Sequence, residues 1–399
     1  MDLRSGYPLW LVTSGLPYTY PKLERNLKKD VVILGGGISG ALTAHYLTKS
    51  GFDCTIVDAR TIGLGSTCAS TALLQYQIDT TLTELTEMIG IENATRAFER
   101  SANAVDELEI LAKEIGYSGY ARKKTLFYAS SIAHGKKLER EYKLHKKAGF
   151  SVQFWDQTLI KDRFGFSAPA ALFSDHSAQC DSYTLTHALL QFNVLKGLTV
   201  FDRTSVTKIE HTAKGVKLTT EGGVIIQAKK LIYATGYESV NYIDEKIVDL
   251  HSTYAIAGEQ MNEGRFWYAD ALIWETKNPY LYMRSTSDNR VVVGGRDEPF
   301  YNPAKRDALL GKKSRQLTKD LGKVFPQLEF NVEFSWTGTF ASTKDGLPYI
   351  GQYPKLPNSL FALGFGGNGI TFSVIAAQMI TDLLLGKKNR DLNLYSFGR

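Results

Sequence analysis

Residues 31–40 read VVILGGGISG, four apolar residues that run directly into three glycines, with a fourth glycine three places on. Residues 31–34, bounded by Asp30 and Gly35, have the length and composition of a strand buried in a parallel sheet. Gly35 permits a tight turn, Gly37 lets a pyrophosphate approach the backbone, and Gly40 lets a helix over residues 42–49 pack closely on the strand. Ile38 and Ser39 lie between these glycines, where the free N–H groups of a helix N-terminus would face phosphates. A second strand, Cys54–Val57, ends in Asp58 and Ala59, about 20 residues beyond the glycines, where an acidic side chain accepts hydrogen bonds from a ribose. Strand, glycine turn, helix, strand and acid in this order predict an α/β fold that binds a dinucleotide.

The rest of the chain bounds the reading. With 399 residues, 43% hydrophobic and 22% charged, it has the composition of a folded protein with a large core in about two domains. Cys54, Cys68 and Cys180 lack CxxC spacing and the seven histidines form no HExxH, so no disulfide framework or zinc site is expected and a reducing, cytoplasmic setting fits. No stretch approaches the roughly 18 uninterrupted apolar residues of a membrane span. The net charge of +6 is mild. Its densest basic run, HGKKLEREYKLHKK at 134–147, reads as a solvated helix face rather than a nucleic-acid or lipid patch.

Which dinucleotide is decided further on. RTIGLGSTCASTALLQ, residues 60–75, follows the acid with small and hydroxylated residues, where a nicotinamide domain would enter its next helix. This loop resembles that of the FAD-dependent amine and amino-acid oxidoreductases, the D-amino acid oxidase superfamily that includes glycine, sarcosine and gamma-glutamylputrescine oxidases. The resemblance places Arg60, Ser66 and Thr67 around the pyrophosphate, with Ala69, Thr71 and Leu73 beneath the isoalloxazine ring. TSVTKIE at 204–210 resembles the family strand whose backbone, at Val206, meets the adenine. KKLIYATGYES at 229–239 is similar to its returning strand, with Ala234, Thr235 and Gly236 in the turn. VVVGGRDEP, FSWTGTFASTKDGLPYIG and LFALGFGGNGITFS follow in family order, so the resemblance spans nearly the whole chain. In the last block, apolar residues 360–363, the glycine-rich Gly364, Phe365, Gly366, Gly367, Asn368, Gly369 and Ile370, and helical spacing to residue 385 form a second strand, turn and helix. That helix N-terminus would aim at the pyrimidine end of the flavin.

The resemblance implies an α/β protein, α+β overall, in which a discontinuous Rossmann-like FAD-binding domain (28–78, 180–240 and 340–399) carries an inserted antiparallel-sheet substrate domain (79–179 and 241–339). Helical periodicity at residues 82–88 and 98–115 would begin the substrate domain, and strand alternation over 250–334, with a hairpin turning at Ser287, Asp288 and Asn289, would roof the flavin. Residues 1–27 resemble an N-terminal extension of gamma-glutamylputrescine-oxidase-like members and are expected to pack on the surface of one domain. The implied chemistry belongs to the cofactor: flavin N5 accepts hydride from a carbon bearing an amine, leaving an imine that water hydrolyses. Reoxidation would fall to O2 or another carrier.

Three cationic clamps of the family are missing. The arginine that holds the substrate carboxylate in glycine and D-amino-acid oxidases corresponds here to Phe340; the arginine and lysine of sarcosine oxidases correspond to Gln75 and Thr371. The oxygen-activating lysine aligns with Val292, and the cysteine that binds flavin covalently aligns near Gly338. FAD is therefore expected to be noncovalent, and a simple α-amino acid is not the expected substrate. For substrate contacts, Tyr280, Tyr282 and Arg284 share one strand face; they either line the pocket, or Arg284 is structural and the tyrosines are core. Tyr254, Trp274, Phe340 and Tyr349 are candidates for an aromatic wall, with core packing as the alternative. Two other readings remain at this point: an NAD-dependent dehydrogenase, which leaves residues 60–75 and the C-terminal glycines without a role, and a nonenzymatic flavoprotein subunit.

Overall fold

The computed structural model describes residues 1–262 and 266–399. Two sheets organise the chain. In the first, Leu27–Leu34 lies centrally between Cys54–Val57 and Ile225–Tyr233, all parallel, with Thr199–Phe201 and Ser359–Leu363 extending the parallel set outward. Tyr349–Gln352 closes one edge antiparallel, and the Val206–Thr212 and Gly215–Thr220 hairpin attaches to the near end of Ile225–Tyr233. Val31, Val32 and Ile33 are at most 1% exposed, as a strand covered on both faces requires. The helix begins at Ile38, four residues earlier than the apolar periodicity predicts, and packs on helices Ser182–Val194 and Gly369–Leu384.

The second sheet has ten strands and is mainly antiparallel. Toward one edge, Asp249–Gly258 lies between Val332–Ser342 and Val291–Glu298. The predicted hairpin is present: Tyr282–Ser285 pairs with Val291–Glu298, and Asn289 turns it at φ +60°. Helix Pro303–Val324 backs this sheet and buries Leu317 and Leu321 against it.

Two expectations change on contact with the fold. The N-terminal segment is woven in rather than laid on a surface: Arg4–Gly6 adds an edge strand to Val332–Ser342, and Leu9 and Trp10 are buried beside Cys68 and Trp336. Helices Leu82–Ile89 and Ile91–Glu114 share one continuous apolar cluster with the first sheet's helices, so the boundary expected at residue 78 crosses a packed core. The basic helix, Ile132–Lys147, keeps its lysines exposed but buries Glu141 and His145. Glu141 accepts from the backbone N–H of Leu82 (2.7 Å) and Thr83 (2.9 Å), capping the neighbouring helix at its positive end. Among the described residues, no helix is long and apolar enough to cross a membrane.

Candidate functional site

A cavity of about 510 Å³ runs from the C-terminal ends of the parallel strands to the face of the ten-stranded sheet. At its first end the glycine turn is shaped by contacts inside the protein. Gly35 adopts φ +110°, and a Cβ there would lie 2.4 Å from the Ala234 carbonyl oxygen, so the crossing strand approaches to backbone contact. A Cβ on Gly40 would lie 1.9 Å from the carbonyl oxygen of Gly35, which seats the helix on the turn and keeps Gly40 itself off the cavity wall. Gly37 lines the cavity, but the group a Cβ would meet is Thr67 Oγ1, at 2.7 Å. That hydroxyl accepts from the Ile38 N–H at 3.0 Å, and Gly37, Ile38 and Thr67 together form the cavity wall at this turn.

Asp58 lines the cavity and also holds the turn. Its two carboxylate oxygens accept from the backbone N–H groups of Gly36 (2.6 Å) and Arg60 (2.8 Å), and burial holds its carboxyl above the usual range. The acid therefore pins the turn. Arg60 makes a bidentate pair with Glu238 (2.8 and 2.6 Å), which lies in the short helix Gly236–Tyr242 after strand Ile225–Tyr233 and was not among the expected site residues. Ile38, Ser39, Ala59, Ser66, Thr67, Ala69, Thr71, Leu73, Val206, Ala234, Thr235 and Gly236 complete this part of the lining.

The second glycine turn is locked by a segment that no motif marked. Asp79 accepts from the Gly367 N–H at 2.9 Å and from the Tyr280 hydroxyl at 3.0 Å, and Asn368 Nδ2 donates to the Gln77 carbonyl at 3.1 Å. Phe365, Gly366, Gly367, Asn368, Gly369, Ile370 and Thr371 line the cavity, and no side chain caps the helix that follows. Gly364 does not line it; φ +76° and a Thr343 methyl 2.8 Å from any added Cβ account for that glycine.

At the roof end, Gln75, Gln77, Thr253, Trp274, Tyr280, Tyr282, Asp297, Gly338 and Phe340 face the cavity. Tyr254 and Arg284 do not. Tyr254 is fully buried against the backing helix, with Lys313 over its ring. Arg284 lies behind the wall, donating to the carbonyls of Ala72 and Cys180, both at 2.9 Å, with its guanidinium over the Trp10 ring. Desolvation lowers its pKa to about 10. Tyr349 stacks on Phe397 outside the cavity, and Val292 is buried beside Trp336. Of the four aromatic-wall candidates, Trp274 and Phe340 line the cavity.

Asp297 was absent from the candidates, and the reason is local. Arg296 and Asp297 both stand opposite Thr253, a β-bulge in which Gly295 has φ +134° and Arg296 φ +61°. The extra residue shifts the alternation, sending Arg296 to Asp320 on the backing helix and Asp297 into the cavity. Burial raises the Asp297 carboxyl to about 7, opposed by Thr253. Paired glycines inside a strand pattern, as in VVVGGRDEP, are the available signal for such a bulge.

The sequence model described as FAD dependent oxidoreductase matches residues 30–383. This chain belongs to that family. Gamma-glutamylputrescine oxidoreductase of Escherichia coli (strain K12) is 24% identical over 381 residues, covering 93% of this chain and 87% of the relative. Glycine oxidase from Geobacillus kaustophilus superposes with a TM-score of 0.79 at 21% identity over 94% of this chain and 99% of its own. L-proline dehydrogenase from P. horikoshii superposes at 0.78, with 20% identity over 93% and 97%. FAD is the cofactor of this FAD-dependent oxidoreductase, and the cavity suits a large polar ligand. Four of the lining residues, Ser66, Gln77, Trp274 and Asp297, each carry a buried polar atom (Oγ, Oε1, Nε1 and Oδ1) without a hydrogen-bond partner, whereas buried polar atoms are ordinarily paired. None of the three cysteines lines the cavity; all are free and buried.

Proposed function

We propose that the protein oxidises the C–N bond of an amine or amino-acid derivative, the carbon losing two electrons and a proton and the nitrogen a second proton to leave an imine that water hydrolyses to a carbonyl compound and an amine or ammonia. The observation that carries this reading is one cavity joining the glycine turn to a buried roof pocket in a chain of this family. Bound FAD supplies the two-electron acceptor. Gly35, Gly37, Ser66, Thr67, Val206 and Thr235 would hold its phosphates and adenine end; Ala69, Leu73, Gly367, Asn368 and Ile370 would hold the ring. The substrate then sits beneath Tyr282, Trp274 and Phe340, where the protein positions the carbon and excludes water. The family relatives act on amines and amino acids by their names, which supports this class of substrate.

Attachment of FAD is assigned as noncovalent, because the linking cysteine of the family aligns near Gly338, where this chain has no cysteine, and none of its three cysteines lines the cavity. The reoxidant is O2 or another carrier. Free, buried cysteines suit a reducing compartment, and the cytoplasm is the proposed location.

The test is the visible spectrum of the purified protein, followed anaerobically during addition of amines, N-methyl amino acids, D-amino acids and gamma-glutamyl amines. Flavin bands that bleach with one member support the assignment, and their return in air identifies an oxidase. Bands that never bleach favour a nonenzymatic flavoprotein. A protein that takes up no flavin at all overturns the cofactor assignment.

A further inference from the structure

The roof end of the cavity offers acceptors and aromatic faces, and no cation. Among the described lining residues, Arg60 is the one Lys, Arg or His side chain, and Glu238 holds it at the opposite end. The three clamp positions carry Phe340, Gln75 and Thr371. Gln75 is committed to Thr125 at 2.9 Å and Thr371 to the Asn368 carbonyl at 3.0 Å. Against this, the bulge directs Asp297 inward with Oδ1 buried and unpaired. A second and separate feature points the same way: Gln77, 5% exposed and on the wall, has an unpaired Oε1, an acceptor waiting for a donor. Trp274, Tyr280, Tyr282 and Phe340 line the same space, and aromatic rings attract cations. Asp79 stands at the exposed rim, with its carboxylate fixed by Tyr280 and Gly367.

We propose that this end binds an organic ammonium through Asp297 and Gln77, and that the substrate is accordingly an amine with no free carboxylate on the reacting carbon. The inference rests on the C–N oxidation assigned above and narrows its substrate class. A carboxylate placed here would meet Asp297 with no cation to offset the repulsion. The remaining unpaired donor, Trp274 Nε1, is served by a neutral oxygen elsewhere on the same molecule.

Two non-reacting probes separate this inference from the reaction itself. Holoprotein at about pH 8, above the Asp297 value of about 7, is titrated with tert-butylammonium, which has N–H donors but no hydrogen on the carbon bearing nitrogen, and with benzoate, reading the perturbation of the flavin bands. The tert-butylammonium ion should bind more tightly than benzoate, and Asp297→Asn should weaken the cation by at least about tenfold, as loss of a charged hydrogen-bonding partner does. The same variant should strengthen benzoate. Should Asp297→Asn fail to retain flavin, Gln77→Met serves instead, with a threefold or greater loss of cation affinity expected on the order of one neutral hydrogen bond. Preferential binding of benzoate, or a cation affinity unchanged in the variant tested, overturns the proposal. If the cation binds through Asp297 but no C–N compound bleaches the flavin, the reaction fails and the cation site stands. If an α-amino acid is the preferred substrate, the reaction stands and the cation site fails.

Discussion

The two ends of the cavity are built by different means. The glycine-turn end rests on backbone geometry at its centre: Gly35 and Gly37 shape one turn within about one βαβ unit, held there by the Asp58 carboxylate and joined by Val206, Ala234 and Thr235 from later in the chain. The roof end collects single side chains from separate strands, among them Gln77, Thr253, Trp274, Asp297 and Phe340. Backbone construction suits a constant ligand, because its groups are the same whatever the side chain. Side-chain construction leaves one end free to vary its substrate while the other holds its cofactor.

The sharpest way to break the comparison is at the turn. Gly40→Val should leave little soluble holoprotein, because its Cβ would lie 1.9 Å from a backbone oxygen that cannot move away; soluble yield and flavin content read this. Gly37→Ala should be milder, giving folded but flavin-poor protein, since the obstacle is the Thr67 hydroxyl at 2.7 Å. Adding Thr67→Ala to Gly37→Ala should restore part of the flavin content. Normal flavin in Gly37→Ala would show that Thr67 yields and that the turn is looser than its geometry indicates.

Arg284 tests whether the roof depends on the turn end. It ties strand Tyr282–Ser285 to the carbonyls of Ala72 and Cys180. Arg284→Met should cost about 3 kcal/mol of stability by leaving both acceptors buried and unpaired, with KM for an amine substrate little changed. Chemical denaturation and steady-state kinetics check the two halves, and a large KM effect with unaltered stability would move Arg284 into the substrate site.

The smallest effect concerns the helices beneath the turn. His45 and His187 are buried, and desolvation pulls both from 6.5 to about 4. Each folded-state pKa lies below its unfolded value, so the unfolded chain binds more protons in this window. Stability is full above about pH 6.5 and falls as pH drops toward 4, by on the order of 2 kcal/mol per histidine. Urea midpoints measured across that range in wild type and in His45→Gln should diverge; superimposable pH profiles would remove His45 as a cause.

How much of this was legible follows from range. The first turn, the second glycine turn, the hairpin at Asn289 and the buried strands could be read because their signals are local: backbone conformation, strand and helix period, and loop length act over a few residues. Membership of the family followed from the order of those local pieces. Asp58 shows the limit, since spacing located the acid while only the packed turn showed both its oxygens turned to the backbone. Arg284 shows it again: strand parity put it on the tyrosines' face, but burial against Trp10 placed it behind the wall. Asp297 and Asp79 were invisible because a one-residue bulge and a contact across 288 positions decide where they point. The sequence by itself determined the dinucleotide fold and the course of the backbone around its turns. Tertiary structure alone decided the charge of the substrate end, because that charge is set by which distant side chains converge on one space and which are turned away.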